Sequence, residues 1–143
     1  MPTINPYLNF NGNTEEAFNF YKSVFGGEFI TLMRFKDAPE VDKIPPSDRE
    51  KIMHVSLPIG QGNVLMATDA LESCGHSLTP GNNFYICIAV ESKEEAERLF
   101  SGLSEGGKIQ MPLQDMFWGA YFGMFTDKFG IQWMVSYDHN QQK

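Results

Sequence analysis

The chain opens with alternating polar and apolar positions over Tyr7–Asn11 and then changes period. Asn13-Thr14-Glu15-Glu16 reads as an N-cap with a carboxylate at the third helical position, and Ala17, Phe20, Tyr21, Val24 and Phe25 recur at helical spacing. The spacing predicts a helix over Glu15–Phe25 that Gly26-Gly27 stops. Strand patterns follow at Glu28–Phe35, Ile52–Ile59 and Val64–Thr68, the last two joined by the turn Gly60-Gln61-Gly62-Asn63. Lys36–Lys51 is charged and carries Pro39, Pro45 and Pro46, which predicts a loop.

The second half repeats this order. A strand at Phe84–Val90 leads into Ser92-Lys93-Glu94-Glu95, a second capping box, and a helix to about Ser104 that ends at Gly106-Gly107. Strands follow at about Lys108–Leu113, Tyr121–Asp127 and Ile131–Tyr137. Glu15-Glu16-Ala17 and Glu94-Glu95-Ala96 stand 79 positions apart, whereas Gly62-Asn63-Val64-Leu65-Met66 and Gly130-Ile131-Gln132-Trp133-Met134 stand 68 apart. The first unit is therefore longer by 11 residues, which the loop at 36–51 can hold. The pattern is an α+β chain of two βαβββ modules, one over about 1–72 and the other over about 82–138, with a polar tail at 139–143.

One helix covers only one face of a four-stranded sheet. Two such units are expected to curve their sheets around a shared cleft. Strand alternation places Val64, Met66 and Thr68 on the cleft side of the first module and Gln132, Met134 and Ser136 on that of the second, with Leu65 and Trp133 turned toward helix or core. Ile52, His54, Ser56 and Pro58 likewise share one face, opposite the apolar set Met53, Val55, Leu57 and Ile59.

Charge and composition narrow the function. The net charge of −7 comes with singly scattered Lys and Arg, which argues against nucleic acid as a partner. No apolar run approaches the roughly 20 residues a membrane span needs, and the first residues lack the basic and apolar regions of a secretory signal, so a cytoplasmic protein without a membrane partner is expected. Cys74 and Cys87 form no CxxC pair and read as reduced thiols, Cys87 being packed within a strand.

Several stretches together resemble one family. They are Pro6-Tyr7-Leu8-Asn9-Phe10-Asn11-Gly12, Glu15-Glu16-Ala17 with Phe20-Tyr21, Phe25-Gly26-Gly27-Glu28, His54, Leu65-Met66 with Asp69, Gln114-Asp115-Met116-Phe117-Trp118-Gly119, and Asp127 with Phe129, Gly130 and Trp133. They resemble the PhnB-like proteins of the vicinal oxygen chelate superfamily, over nearly the whole chain. The resemblance implies the glyoxalase/bleomycin-resistance-like fold and a homodimer. The chain departs from the family pattern where Ala120-Tyr121-Phe122 replaces an Asp-Arg-Tyr run and Ile131 replaces a His.

Metal-dependent members of the superfamily hold a divalent ion with His and Glu from the first and last strands of each module. The resemblance carries those places to Pro6 or Tyr7, Met66, Tyr85 and Met134, none of them an imidazole or carboxylate. Thioether sulfur is a poor ligand for zinc, nickel, magnesium or iron(II) in such a site, so no metal and no cofactor is expected. Cys74-Gly75-His76 is too short to complete a tetrahedral set, and His139 lies in the polar tail.

His54 faces either the cleft, as a ligand-contacting group, or a structural hydrogen-bond partner. The stretch Met116–Phe122, with Met66, Tyr85 and Met134, suits the lining of an apolar pocket and equally a dimer core. The expected ligand-binding cleft comprises His54, Met66, Tyr85, Phe117, Trp118, Gln132 and Met134, with no catalytic residue assigned. A metal-free dimer binding a small organic molecule is the leading expectation; a metal-dependent glyoxalase-type lyase, isomerase or dioxygenase is the alternative. No Gly-rich strand-to-helix turn suggests a nucleotide-like methyl donor.

Overall fold

In the computed structural model, which describes residues 2–60 and 62–139, every predicted strand and both helices form. The order is β1 (Tyr7–Phe10), α1 (Thr14–Phe25), β2 (Thr31–Arg34), β3 (Ile52–Ile59), β4 (Asn63–Asp69), β5 (Ile86–Val90), α2 (Lys93–Ser104), β6 (Lys108–Asp115), β7 (Ala120–Thr126) and β8 (Gln132–Asp138). Contacts divide the chain into two compact units at residues 79 and 80. Their sheets share one topology, β1-β4-β3-β2 and β5-β8-β7-β6, each with a single parallel pair, β1 with β4 and β5 with β8. No helix among the described residues is long and apolar enough to cross a membrane.

In the first unit, α1 buries Thr14, Ala17, Phe18 and Tyr21, a stripe at i, i+3, i+4 and i+7. Phe18 replaces Phe20 in the stripe expected from the sequence; Phe20 is only half-buried. The Phe18 ring meets Tyr21 edge-on at 5.4 Å and Phe10 at 6.4 Å. Leu65, Ala67, Val55 and Leu57, paired across β3 and β4, complete this core, each side chain worth about 1.5–3 kcal/mol of burial for the larger ones.

The start of α1 is held differently from the sequence expectation. Asn13 occupies the N-cap position but its side chain makes no cap bond. The carboxylate of Asp69, at the end of β4, does this instead: Oδ1 accepts from the Thr14 N–H at 3.0 Å and from its hydroxyl at 2.6 Å. Its Oδ2 accepts the Ile52 N–H at 2.8 Å. One fully buried acid thus ties the helix start to two strands.

Arg34 pairs with Ile52 and Met33 with His54, so Met53 stands as an extra residue in β3. This bulge breaks the alternation expected from sequence. Ile52 is fully buried and does not share the half-buried setting of His54. The 35–51 connection contains three short 3₁₀ turns and its own apolar cluster of Phe35, Ile44 and Leu71, against which Ala38 and Met53 pack.

In the second unit, Ser92 Oγ accepts the Glu95 N–H at 3.0 Å, while the Glu95 carboxylate reaches back to the Glu91 N–H at 3.1 Å. The helix buries Ala96, Leu99, Phe100 and Leu103. Phe100 crosses Phe125 edge-on at 5.0 Å and lies over Gly123, where any side chain would collide with it. Asp127 organises the β7–β8 turn: its Oδ1 accepts from the Phe129 and Ile131 N–H groups and its Oδ2 from the Trp133 indole at 2.8 Å.

Candidate functional site

Residues directly opposite one another in a ladder project from the same face of the sheet. In the first unit Tyr7 lies opposite Met66, Met66 opposite Ser56, and Met33 opposite His54. These side chains occupy the face that α1 does not cover. There the Tyr7 hydroxyl stands 3.2 Å from His54 Nδ1, with the two rings tilted and their centroids 5.7 Å apart. Partial burial pushes the Tyr7 phenol above its ordinary pKa. The hydroxyl therefore keeps its proton at neutral pH and donates to Nδ1 when that nitrogen is unprotonated. His54 thus has a hydrogen-bonding partner and also lies on the helix-free face.

In the second unit the register places Cys87, not Tyr85, opposite Met134. Of the two positions between them, one arises because Tyr7, not Pro6, lies opposite Met66, and the other from one residue in a connection. Thr14 and Lys93 open the helices 79 positions apart, but Phe10 and Val90 close the preceding strands 80 apart, because 11–13 joins the first pair and 91–92 the second. Gly12, at φ 89°, lies in the longer connection. Tyr85 precedes β5, and its hydroxyl donates to Gln110 Oε1 at 2.7 Å.

Contrary to its packed appearance in the sequence, Cys87 is exposed. Burial of part of its surroundings pushes the thiol pKa up, which keeps it protonated and unlike an activated nucleophile. Gln132 is buried, and its side-chain amide donates to the Phe84 carbonyl. Phe117 is 97% exposed in the β6–β7 turn, while Trp118 leans edge-on against Phe122, centroids 6.0 Å apart. Phe122 lies opposite Ser136, on the same helix-free face as Met134.

Elsewhere in the first unit, a groove of about 460 Å³ is lined by Asn11, Asp48, Lys51, Ala70, Leu71, Glu72 and Ser73. Its polar groups largely satisfy one another: Asp48 receives Lys51 at 2.9 Å and the Ser73 hydroxyl at 3.0 Å, which hold its carboxyl below the usual range.

The registered pairs test whether a divalent metal fits. Tyr7 with Met66 offers a phenol and a thioether, and Cys87 with Met134 a thiol and a thioether; neither pair suits the hard or borderline ions that need imidazole nitrogen and carboxylate oxygen. No group of three or more His, Cys, Asp or Glu side chains suited to a metal occurs among the described residues.

Two βαβββ units of this strand order define a protein of the glyoxalase/bleomycin-resistance fold. The likeness in fold extends to a glyoxalase/bleomycin resistance protein/dioxygenase family enzyme from Burkholderia phytofirmans PsJN, 17% identical, covering 92% of this chain and 95% of that one, with a TM-score of 0.60. Within that class the chain belongs to the family described as 3-demethylubiquinone-9 3-methyltransferase, whose model matches residues 2–136. It is 33% identical to protein YjdN of Escherichia coli K12, over 95% of each chain. Protein PA1353 from Pseudomonas aeruginosa is similar at 44% identity and a TM-score of 0.84, covering 96% of this chain and 98% of that one. A putative 3-demethylubiquinone-9 3-methyltransferase, PhnB protein, from Bacillus cereus is similar at 28% identity and a TM-score of 0.75, covering 95% and 99%. The PhnB-like resemblance and the fold expected from the sequence are thus both found.

Proposed function

We propose that this PhnB-like protein is a cytoplasmic homodimer that binds a small, partly apolar organic molecule on its helix-free sheet faces, without a resident divalent ion. The observation that carries the reading is the composition of those faces. Adaptable thioethers and rings surround a few oriented polar groups, among them the Tyr7–His54 pair, a combination suited to small-molecule recognition. His54 and Met66 on one sheet, and Tyr85, Trp118 and Met134 in the other unit, are the proposed contacts. Gln132 contributes by fixing the chain at Phe84, and Phe117 by its exposed ring.

Methyl transfer is not part of the proposal, although the family description names it. The connections Asn11-Gly12-Asn13 and Glu91-Ser92 are not Gly-rich cradles, and each sheet has one parallel pair in place of the parallel run of a doubly wound nucleotide-binding sheet. The metal-dependent lyase, isomerase or dioxygenase reading lacks its ligands at the registered pairs.

Native mass measurement of the tag-free protein tests subunit number and retained molecules together. A dimer free of stoichiometric zinc, nickel, iron or manganese is expected; one such ion per chain would overturn the reading. Thermal shift against planar aromatic and cationic glycopeptide probes tests the faces. A probe at about 100 times its Kd adds about 2.7 kcal/mol, or roughly 5–10 °C in Tm. Tyr7→Phe or Trp118→Ala should remove that shift, and no shift across the probes counts against binding.

A further inference from the structure

The ladder of the second sheet brings four sulfur atoms into one row. Met111 lies opposite Met124, Met124 opposite Met134, and Met134 opposite Cys87, so the row crosses β6, β7, β8 and β5 on one face. From these registered pairs we infer a binding site for a soft monovalent d¹⁰ cation, copper(I) or silver(I), on Cys87, Met134 and Met124.

The face argues for a ligand role over core filling. The core of this unit lies on the other side, where α2 meets Phe125, Trp133 and Val135. Met111, Met124 and Met134 are each only half-buried, and Cys87 is exposed. Adjacent strands lie about 4.8 Å apart, so the three central Cα atoms span roughly 9.6 Å. Each Met side chain turns about three bonds and each sulfur is polarizable, so three sulfurs can converge on one ion.

Chemistry selects the ion. Thioether and thiolate donors favour copper(I) over hard cations, and no carboxylate or imidazole stands in the row to favour zinc. On binding, the Cys87 S–H bond breaks, its proton passes to solvent, and sulfur–metal bonds form; no electron is transferred. The inference concerns the sulfur row alone and does not depend on the organic-ligand reading, which its own thermal shift decides.

The experiment is silver(I) titration of the full-length, tag-free, reduced protein in chloride-free buffer, followed by native mass spectrometry and ligand competition. Cys74 is the other exposed thiol, so the test is run in Cys74→Ser. One retained silver per chain is expected, lost in Cys74→Ser/Cys87→Ser. Met124→Leu and Met134→Leu, which conserve volume and so preserve folding, should each weaken the affinity at least tenfold. An ion lost in Cys74→Ser, or an affinity unchanged by both leucine variants, overturns the site as simple thiol capture. X-ray absorption of the copper(I) form should show a shell of three sulfurs; a shell containing nitrogen or oxygen donors overturns it independently.

Discussion

Replacing Asp69 tests how the first unit is held together. Its carboxylate serves the Thr14 N–H, the Thr14 hydroxyl and the Ile52 N–H, and the side chain is 1% exposed. In Asp69→Ala two backbone donors lose their acceptor in a dry setting, and the charge that complements the α1 N-terminus goes too. Unsatisfied buried donors cost about 1–3 kcal/mol each, so the total loss is about 3–5 kcal/mol, against an overall stability of roughly 5–15 kcal/mol. Asp69→Asn keeps an oxygen for Thr14 but turns an amide N–H₂ toward the Ile52 N–H, costing about 1–3 kcal/mol. Asn13→Ala, at the formal N-cap, should stay within about 0.5 kcal/mol, because that side chain makes no cap bond. Urea denaturation reads all three. With a slope of about 2 kcal/mol/M the midpoint falls by roughly 1.5–2.5 M for Asp69→Ala and 0.5–1.5 M for Asp69→Asn. An Asp69→Asn midpoint equal to wild type, or an Asn13→Ala loss as large as that of Asp69→Asn, would refute the reasoning.

Gly123→Ala should destabilise by about 1–3 kcal/mol, lowering Tm by roughly 3–10 °C by calorimetry, because the new Cβ would lie 2.6 Å from Phe100 Cε2 and 3.1 Å from the backbone at Leu113 and Met111; an unchanged Tm counts against this seating of α2. The two bonds from Arg34 to Glu15, at 3.0 and 2.7 Å, hold the Glu15 carboxyl below the usual range. A depressed carboxyl stabilises the fold above its ordinary pKa of about 4.3, and that contribution fades as pH falls through the folded value. Solvent screening keeps it under about 1 kcal/mol. Arg34→Met should therefore lose stability at pH 7 but differ less from wild type near pH 3 in urea titrations; an equal gap at both pH values removes the pair as the cause.

Much of the fold was legible because its signals are local. The helix over residues 15–25 and the strand over 52–59 follow from periodicity and punctuation within their own windows, and the duplication is visible as two constant offsets. What escaped was long-range or turned on a single residue. Asp69 caps a helix 55 positions away, which no local pattern encodes. Met53 adds one residue to β3, and Gln110 lies within a second register shift in β6, where Ile109 pairs with Phe125 and Met111 with Met124. Such a step moves every later side chain to the other face, so the buried setting of Ile52 and the alignment of Met111 with Met124 do not show in the periodicity. The three residues at 11–13 against the two at 91–92 account for one of the two positions that separate Tyr85 from Cys87, the registered partner of Met134; the other comes from Tyr7, not Pro6, lying opposite Met66.

The strand order has a consequence for how the chain is made. Among the described residues β1 pairs with β4 alone, with Tyr7 beside Met66, so the earliest strand to leave the ribosome must wait for residues 59 positions later. At roughly 5–20 residues per second that delay is about 3–12 s. During it, the α1 stripe and the backbone edge of β1 stand without the strand that covers them. Asp69, the final residue of β4, arrives last and closes the latch on the helix start. The nascent first half is therefore most vulnerable to aggregation just before residue 69 emerges, and secure soon after.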